Sequence, residues 1–174
     1  MNRQKVVTFL KGKWGYLTVL GGVLLVIDQW TKELIHSRFR VGESLTLIDP
    51  VLAFTYVRNK GAAFGILQTA NPSFRDTFFM IIPVAAISVI SYLYYKLEAG
   101  QRLQSLALSL ILSGAVGNLI DRLRLGFVVD FVDVHWREVY HWPAFNVADS
   151  CIVVGVGILF LQSFLAPQPT PKKA

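Results

Sequence analysis

The fold class this sequence predicts is an α-helical membrane protein with four transmembrane helices and a small extracytoplasmic β-sheet, and three observations predict it. Apolar residues make up 53% of the 174, with a mean hydropathy of +0.49. Charged residues fall to 16%, well under the roughly 25% of soluble domains. The apolar residues gather into four runs, at about 14–35, 74–95, 103–122 and 148–165, each near the ~20 residues a helix needs to cross hydrocarbon. One integral membrane domain over 1–174 accounts for all four.

The first run follows Arg3, Lys5, Lys11 and Lys13 and passes directly into Asp28-Gln29-Trp30-Thr31-Lys32 with no small-residue cleavage site. It therefore reads as a retained span rather than a removed signal. Trp14 and Tyr16 at one end and Trp30 near the other suit the two membrane interfaces. The second run holds Pro83, which predicts a kink of the kind neighbouring helices can rescue, and closes on Tyr92, Tyr94 and Tyr95. On the third, Ser109, Ser113 and Gly117 recur every four residues, a small-residue stripe that lets another helix approach closely.

Between the runs lie two longer segments, 36–73 and 123–147. Leu52 to Arg58 is rich in β-formers and is followed by Asn59-Lys60-Gly61, a turn signal. Phe127 to Val134 is a second β-rich stretch, broken by Asp130 and Asp133, so a small sheet resting on the helices is expected. Residues 167–174 are Pro-rich and expected to be disordered.

The N-terminal tail, the link holding Lys96 and Arg102, and the end holding Lys172 and Lys173 fall on one side of an even number of spans. The positive-inside rule puts that side, with both termini, in the cytoplasm and the two longer segments outside. The net charge of +6 is scattered beside apolar runs and predicts no nucleic-acid partner. A lone cysteine, Cys151, excludes an internal disulfide and a multi-cysteine metal site. Packing is the plainer role for Cys151, as it is for His135 and His141 beside Trp136 and Trp142.

Ionisable residues in or beside a span are functional hypotheses by default, and here they share the outer end. Asp28 and Lys32 stand four apart, on one helix face, where they can pair; a neutral pair anchoring a helix end is the plain reading. Asp121, with Arg122 and Arg124 beside it, is expected to stay ionised through them and to tie the third span to a loop. Asp130 and Asp149 differ, since no Lys, Arg or His lies within four positions of either and apolar residues adjoin both. Such acids have raised pKa values, and two of them brought together share one proton, which is aspartyl-protease chemistry and needs no metal or cofactor. The plain alternatives stay open: Asn146-Val147-Ala148-Asp149 is close to a capping box, and Asp130 could be an exposed edge-strand acid. A small four-span proton-coupled transporter, or a bundle that only binds lipopeptides, would also use outward acids.

Taken together, the clusters resemble the lipoprotein signal peptidase family (signal peptidase II, the prolipoprotein-specific aspartyl peptidases). Asp28-Gln29-Trp30-Thr31-Lys32 looks like the family's D-x-x-[ST]-K, and Asn59-Lys60-Gly61-Ala62-Ala63-Phe64 looks like N-x-G-A-A-F. Residues Gly114 to Arg122 are similar to G-x-x-G-N-x-x-D-R, while Val129-Asp130-Phe131 and Phe145 to Ser150 match the segments bearing the two catalytic aspartates. The five motifs run in order over residues 28 to 150.

The resemblance implies a monomeric, cofactor-free hydrolase of the bacterial inner membrane that cuts prolipoproteins before a diacylglyceryl-modified cysteine, near the extracytoplasmic face. It implies that Asp130 and Asp149 are catalytic. Asn59, Gly61, Asn118, Asp121, Arg122 and Asn146 would shape the site, with Asp28 and Lys32 bracing it.

Overall fold

The computed structural model describes residues 12–61, 71–98, 100–137 and 139–165. Arg3, Lys5 and Lys11, the Ala62, Ala63 and Phe64 of the second motif, and the Pro-rich end lie outside the described residues.

The first expected span is one contiguous helical run: a turn at Lys13–Gly15, a π-helical stretch at Tyr16–Gly21, then α1, Gly22–Arg38. Three further helices follow, α2 at Pro72–Lys96, α3 at Arg102–Leu125 and α4 at Val147–Leu165. Among the described residues, these last three are long and apolar enough to cross a membrane by length and composition. The run ending in α1 is broken by its π segment and carries Asp28, Lys32 and Glu33 towards its end.

Each helix starts and stops for a local reason. α2 has Asn71 as its N-cap, the Asn side chain accepting from Ser73 N, with Pro72 in the first turn, where its missing N–H costs nothing. The helix continues through Pro83. α3 ends at Gly126, whose N–H closes on Arg122 O at 3.0 Å and turns the chain into the next strand.

The helices are not equivalent. Over its most apolar 18 residues α3 is 56% buried, against 6% for α2 and 17% for α4, so α3 is the centre of the bundle. The others turn Ile81, Ile82, Val84, Val153, Val154 and Phe160 outward, a surface suited to hydrocarbon and ill suited to water. The small-residue stripe on α3 is used for close approach: Ser113 Oγ donates to Gly21 O at 2.8 Å, and Ser109 Oγ to the Tyr94 hydroxyl at 3.3 Å. A Cβ on Gly117 would stand 2.5 Å from Asp28 Oδ2, so only glycine admits the first helix there. Tyr94, Leu108, Ile111 and Leu112 form the apolar core between α2 and α3.

Four strands, β1 Ser44–Ile48, β2 Leu52–Asn59, β3 Val128–Trp136 and β4 Tyr140–His141, make one antiparallel sheet in chain order. It draws on both of the segments expected to supply it. Ile35 of α1 packs with Tyr56, Val129 and Phe131, and this second core fastens the sheet to the helix end. Between Phe54 and Val57 the register with β3 slips by one residue, so Thr55 and Tyr56 together stand opposite Phe131.

Candidate active site

Four elements deliver carboxylates to the junction of sheet and bundle. Asp28 comes from α1, Asp121 from the last turn of α3, Asp130 from β3 and Asp149 from the first turn of α4. Asp28, Asp121 and Asp130 are each 1–2% exposed. A buried ionised carboxylate needs a cation or several hydrogen bonds, and the four divide by which of these they have.

Asp28 and Asp121 have the cation. Lys32 Nζ lies 2.9 Å from Asp28 Oδ2 and 3.2 Å from Asp121 Oδ2, and donates to Asn118 Oδ1 at 2.8 Å. The expected pairing of Asp28 with Lys32 is present. Asp121 departs from expectation, because its partner is Lys32 on another helix; the neighbouring Arg122 donates to Asn118 O, and Arg124 pairs with Glu33. For Arg122 the reason is geometric, since successive residues on a helix do not face one another; Arg124, three positions on, turns instead to Glu33. Asp121 does tie α3 to the sheet, accepting from Val129 N at 3.0 Å. Asp28 likewise accepts from Ala148 N at 2.8 Å, satisfying an otherwise unpaired amide in the first turn of α4. Gln29, which sequence reasoning passed over, bridges Asp28, Gly117 O and Asp121 through Nε2.

Asp130 and Asp149 are held by neutral donors. Asp130 accepts from Asn59 Nδ2 at 2.9 Å and from Asn146 Nδ2 at 2.7 Å. Asp149 accepts from Asn118 Nδ2 at 2.7 Å and from the backbone N–H of Asn146 at 3.2 Å. Asn146 Oδ1 in turn accepts from Asp149 N at 2.9 Å, which completes the capping box suggested by the sequence. Cap and convergence coexist, because one residue, Asn146, binds both carboxylates. Asp130 is no exposed edge acid: β3 has β2 on one side, and the carboxylate is 1% exposed.

Asn59 is aimed by the turn that follows it. Gly61 N donates to Asn59 Oδ1 at 2.8 Å, which leaves the amide NH₂ for Asp130. Gly61 holds φ +94°, and a Cβ there would overlap the Phe79 ring, so both conformation and space demand glycine. Burial first, and the Asp149 charge second, push Asp130 up to about 7 from its ordinary 3.8. Near neutral pH it thus keeps a proton for a substantial part of the time.

Arg122 is within electrostatic reach of Asp149, Asp130 and Asp121 and lines a cleft with Asn59, Asp76, Phe79, Met80 and Phe127. This cleft joins apolar walls to a polar end at Asn59, the residue bonded to Asp130.

The family model described as signal peptidase (SPase) II matches residues 20–165. The chain belongs to the signal peptidase II family. This signal peptidase II family member is 47% identical over 153 residues to the lipoprotein signal peptidase of Geobacter metallireducens, covering 88% of this chain and 93% of that one. Against the lipoprotein signal peptidase of Geobacter sulfurreducens it is 52% identical over 141 residues, covering 81% and 85%. A solved structure described as a bacterial membrane enzyme superposes with a TM-score of 0.78 at 32% identity, over 92% of this chain and 94% of that one. Family membership makes the chain a peptidase of the bacterial membrane.

Proposed function

We propose that the chain is an aspartyl endopeptidase that removes the signal peptide from prolipoproteins, cutting before the diacylglyceryl-modified cysteine. The observation that carries this reading is that Asp130 and Asp149, 19 positions apart, are both bound by Asn146 and otherwise by neutral donors. Two acids so held carry one proton between them. The proton resides on Asp130, in keeping with its elevated pKa, and Asp149 is the base.

Catalysis then needs only water and the two acids. Asp149 takes a proton from water as its oxygen attacks the scissile carbonyl carbon, while Asp130 gives its proton to the carbonyl oxygen. Asp149 returns its proton to the leaving nitrogen, the C–N bond breaks, and the diol proton goes back to Asp130. Asn118, Asn59 and Asn146 hold the carboxylates in place, and Asn118 links Lys32 to Asp149. Asp28 and Asp121 brace Lys32, and Arg122 holds the substrate backbone in the cleft.

The chain works as a monomer with four spans, the helical run at Lys13–Arg38 being the first. Both termini are cytoplasmic and the sheet lies at the extracytoplasmic face of the inner membrane. A lipid anchor entering from the outer leaflet would meet the cleft walls at Phe79, Met80 and Phe127. The decisive experiment offers purified protein a diacylglyceryl-cysteine peptide and its unlipidated twin. Parental protein cuts only the first, and Asp149→Asn loses roughly 100- to 10,000-fold in rate while remaining folded. Cleavage by Asp149→Asn at the parental rate would refute the dyad; equal cleavage of both peptides would refute the substrate.

A further inference from the structure

Three residues beyond Asp130 on β3, a second polar cluster stands apart from the carboxylates described above. Asp133 and His135 are two apart on the strand and so share a face, and His141 on β4 is the direct cross-strand partner of His135. One ligand-capable atom from each of the three lies within 4.8 Å of the others. Asp133 Oδ1 is 3.2 Å from His141 Nδ1 and 3.6 Å from His135 Nδ1.

The His135 side chain is 8% exposed, and its Nδ1 has no hydrogen-bond partner among the described residues. It is aimed at the same carboxylate oxygen, too far for a hydrogen bond. Buried ring nitrogens are seldom left so. The two imidazoles stack with centroids 5.1 Å apart, which concentrates lone pairs around Asp133 Oδ1.

We propose that Asp133, His135 and His141 form a binding site for a divalent transition metal of the zinc type, which staples β4 to β3. Zinc bonds of about 2.0–2.1 Å in tetrahedral geometry place ligand atoms about 3.3–3.4 Å apart, and the two carboxylate-to-imidazole separations of 3.2 and 3.6 Å bracket that edge. Two imidazoles and a carboxylate suit zinc and leave a fourth position for water. The supporting shell is built as well: Thr55 Oγ1 donates to Asp133 Oδ2 at 3.1 Å and is itself bonded to Ser44 Oγ at 2.8 Å. β4 is only two residues long, and its hairpin exposes Trp136, Tyr140 and Trp142. A metal at its base would hold those rings in one orientation.

The test uses full-length protein without a polyhistidine tag, in detergent, with Zn²⁺ as the probe in calorimetry and Co²⁺ as its coloured substitute. One Zn²⁺ per chain is expected, with intense tetrahedral Co²⁺ absorption and a raised Tm. His141 is half-exposed, so His141→Ala folds, and it should weaken Zn²⁺ binding at least about tenfold and abolish the Co²⁺ spectrum. His135→Gln, nearly isosteric, should do the same. Absence of Zn²⁺ binding, or binding equally tight in either variant, would overturn the site.

Discussion

Two pairs of acids meet at the junction of sheet and bundle, and each pair is made tolerable by different means. Asp28 and Asp121 share one ammonium, Lys32, and take the rest of their stabilisation from Gln29 and the backbone N–H groups of Ala148 and Val129. Asp130 and Asp149 sit one hydrogen-bonded residue away, on Asn118 and Asn146, and receive only amides. Lys32 is occupied by the other pair, and Arg122, within electrostatic reach of both acids, makes no ion pair with either among the described residues. On the proposed mechanism it is direct contact with the lysine, and not proximity to it, that divides the acids, and the asparagines separate the braced pair from the poised one.

The strongest way to break this contrast is Lys32→Met, which leaves two buried carboxylates unpaired. Losing one partner of such a buried network costs about 3–5 kcal/mol, so the variant should show a sharply lowered Tm in detergent, with activity lost through unfolding. If it were as stable as the parent, the braced pair would not be the brace.

The poised pair is sharpened by pH. Asp130 is raised from 3.8 to about 7 on folding, so the folded protein holds this proton more tightly than the unfolded chain. The group's contribution to stability is complete below about pH 4, falls as pH rises, and is gone above about pH 7. Asp130→Asn should flatten the fall in Tm over this window, while also losing cleavage. An unchanged slope would place the proton elsewhere.

The smallest effect belongs to the exposed pair. Arg124 and Glu33 approach to 3.4 Å with more than half of each side chain exposed. Arg124→Ala should alter stability by under about 1 kcal/mol, read as a Tm within a few degrees of the parent, and leave cleavage intact.

Much of this arrangement was legible because it is local. Helix positions follow from runs of apolar residues; the Asp28–Lys32 contact follows from i,i+4 spacing, and the Asn146–Asp149 cap from a three-residue interval. Asp121 misled for the complementary reason: its partner lies 89 positions away, and the adjacent arginines, more conspicuous in sequence, point elsewhere. Gln29 carries no charge and so drew no attention, although its amide joins two carboxylates. His135 and His141 read as packing because only the β3–β4 pairing stacks them beside Asp133. Alternation at Asp133 and His135 was the available signal; the turn that brings His141 across was not.

The extra residue in β2 has a chemical consequence. With it, Val57 stands opposite Asp130 and Asn59 opposite Val128, so Asn59 falls on the Asp130 side of the ribbon. Were the intact strand to pair regularly from Phe54 opposite Val132, Tyr56 would stand opposite Asp130 and Arg58 opposite Val128, exchanging the faces of every later residue and bringing the guanidinium of Arg58 where an amide now sits. A permanent positive charge would then grip Asp130 and strip its proton at neutral pH. One irregularity in strand pairing, itself without a reactive group, selects between an inert salt and a protonated acid.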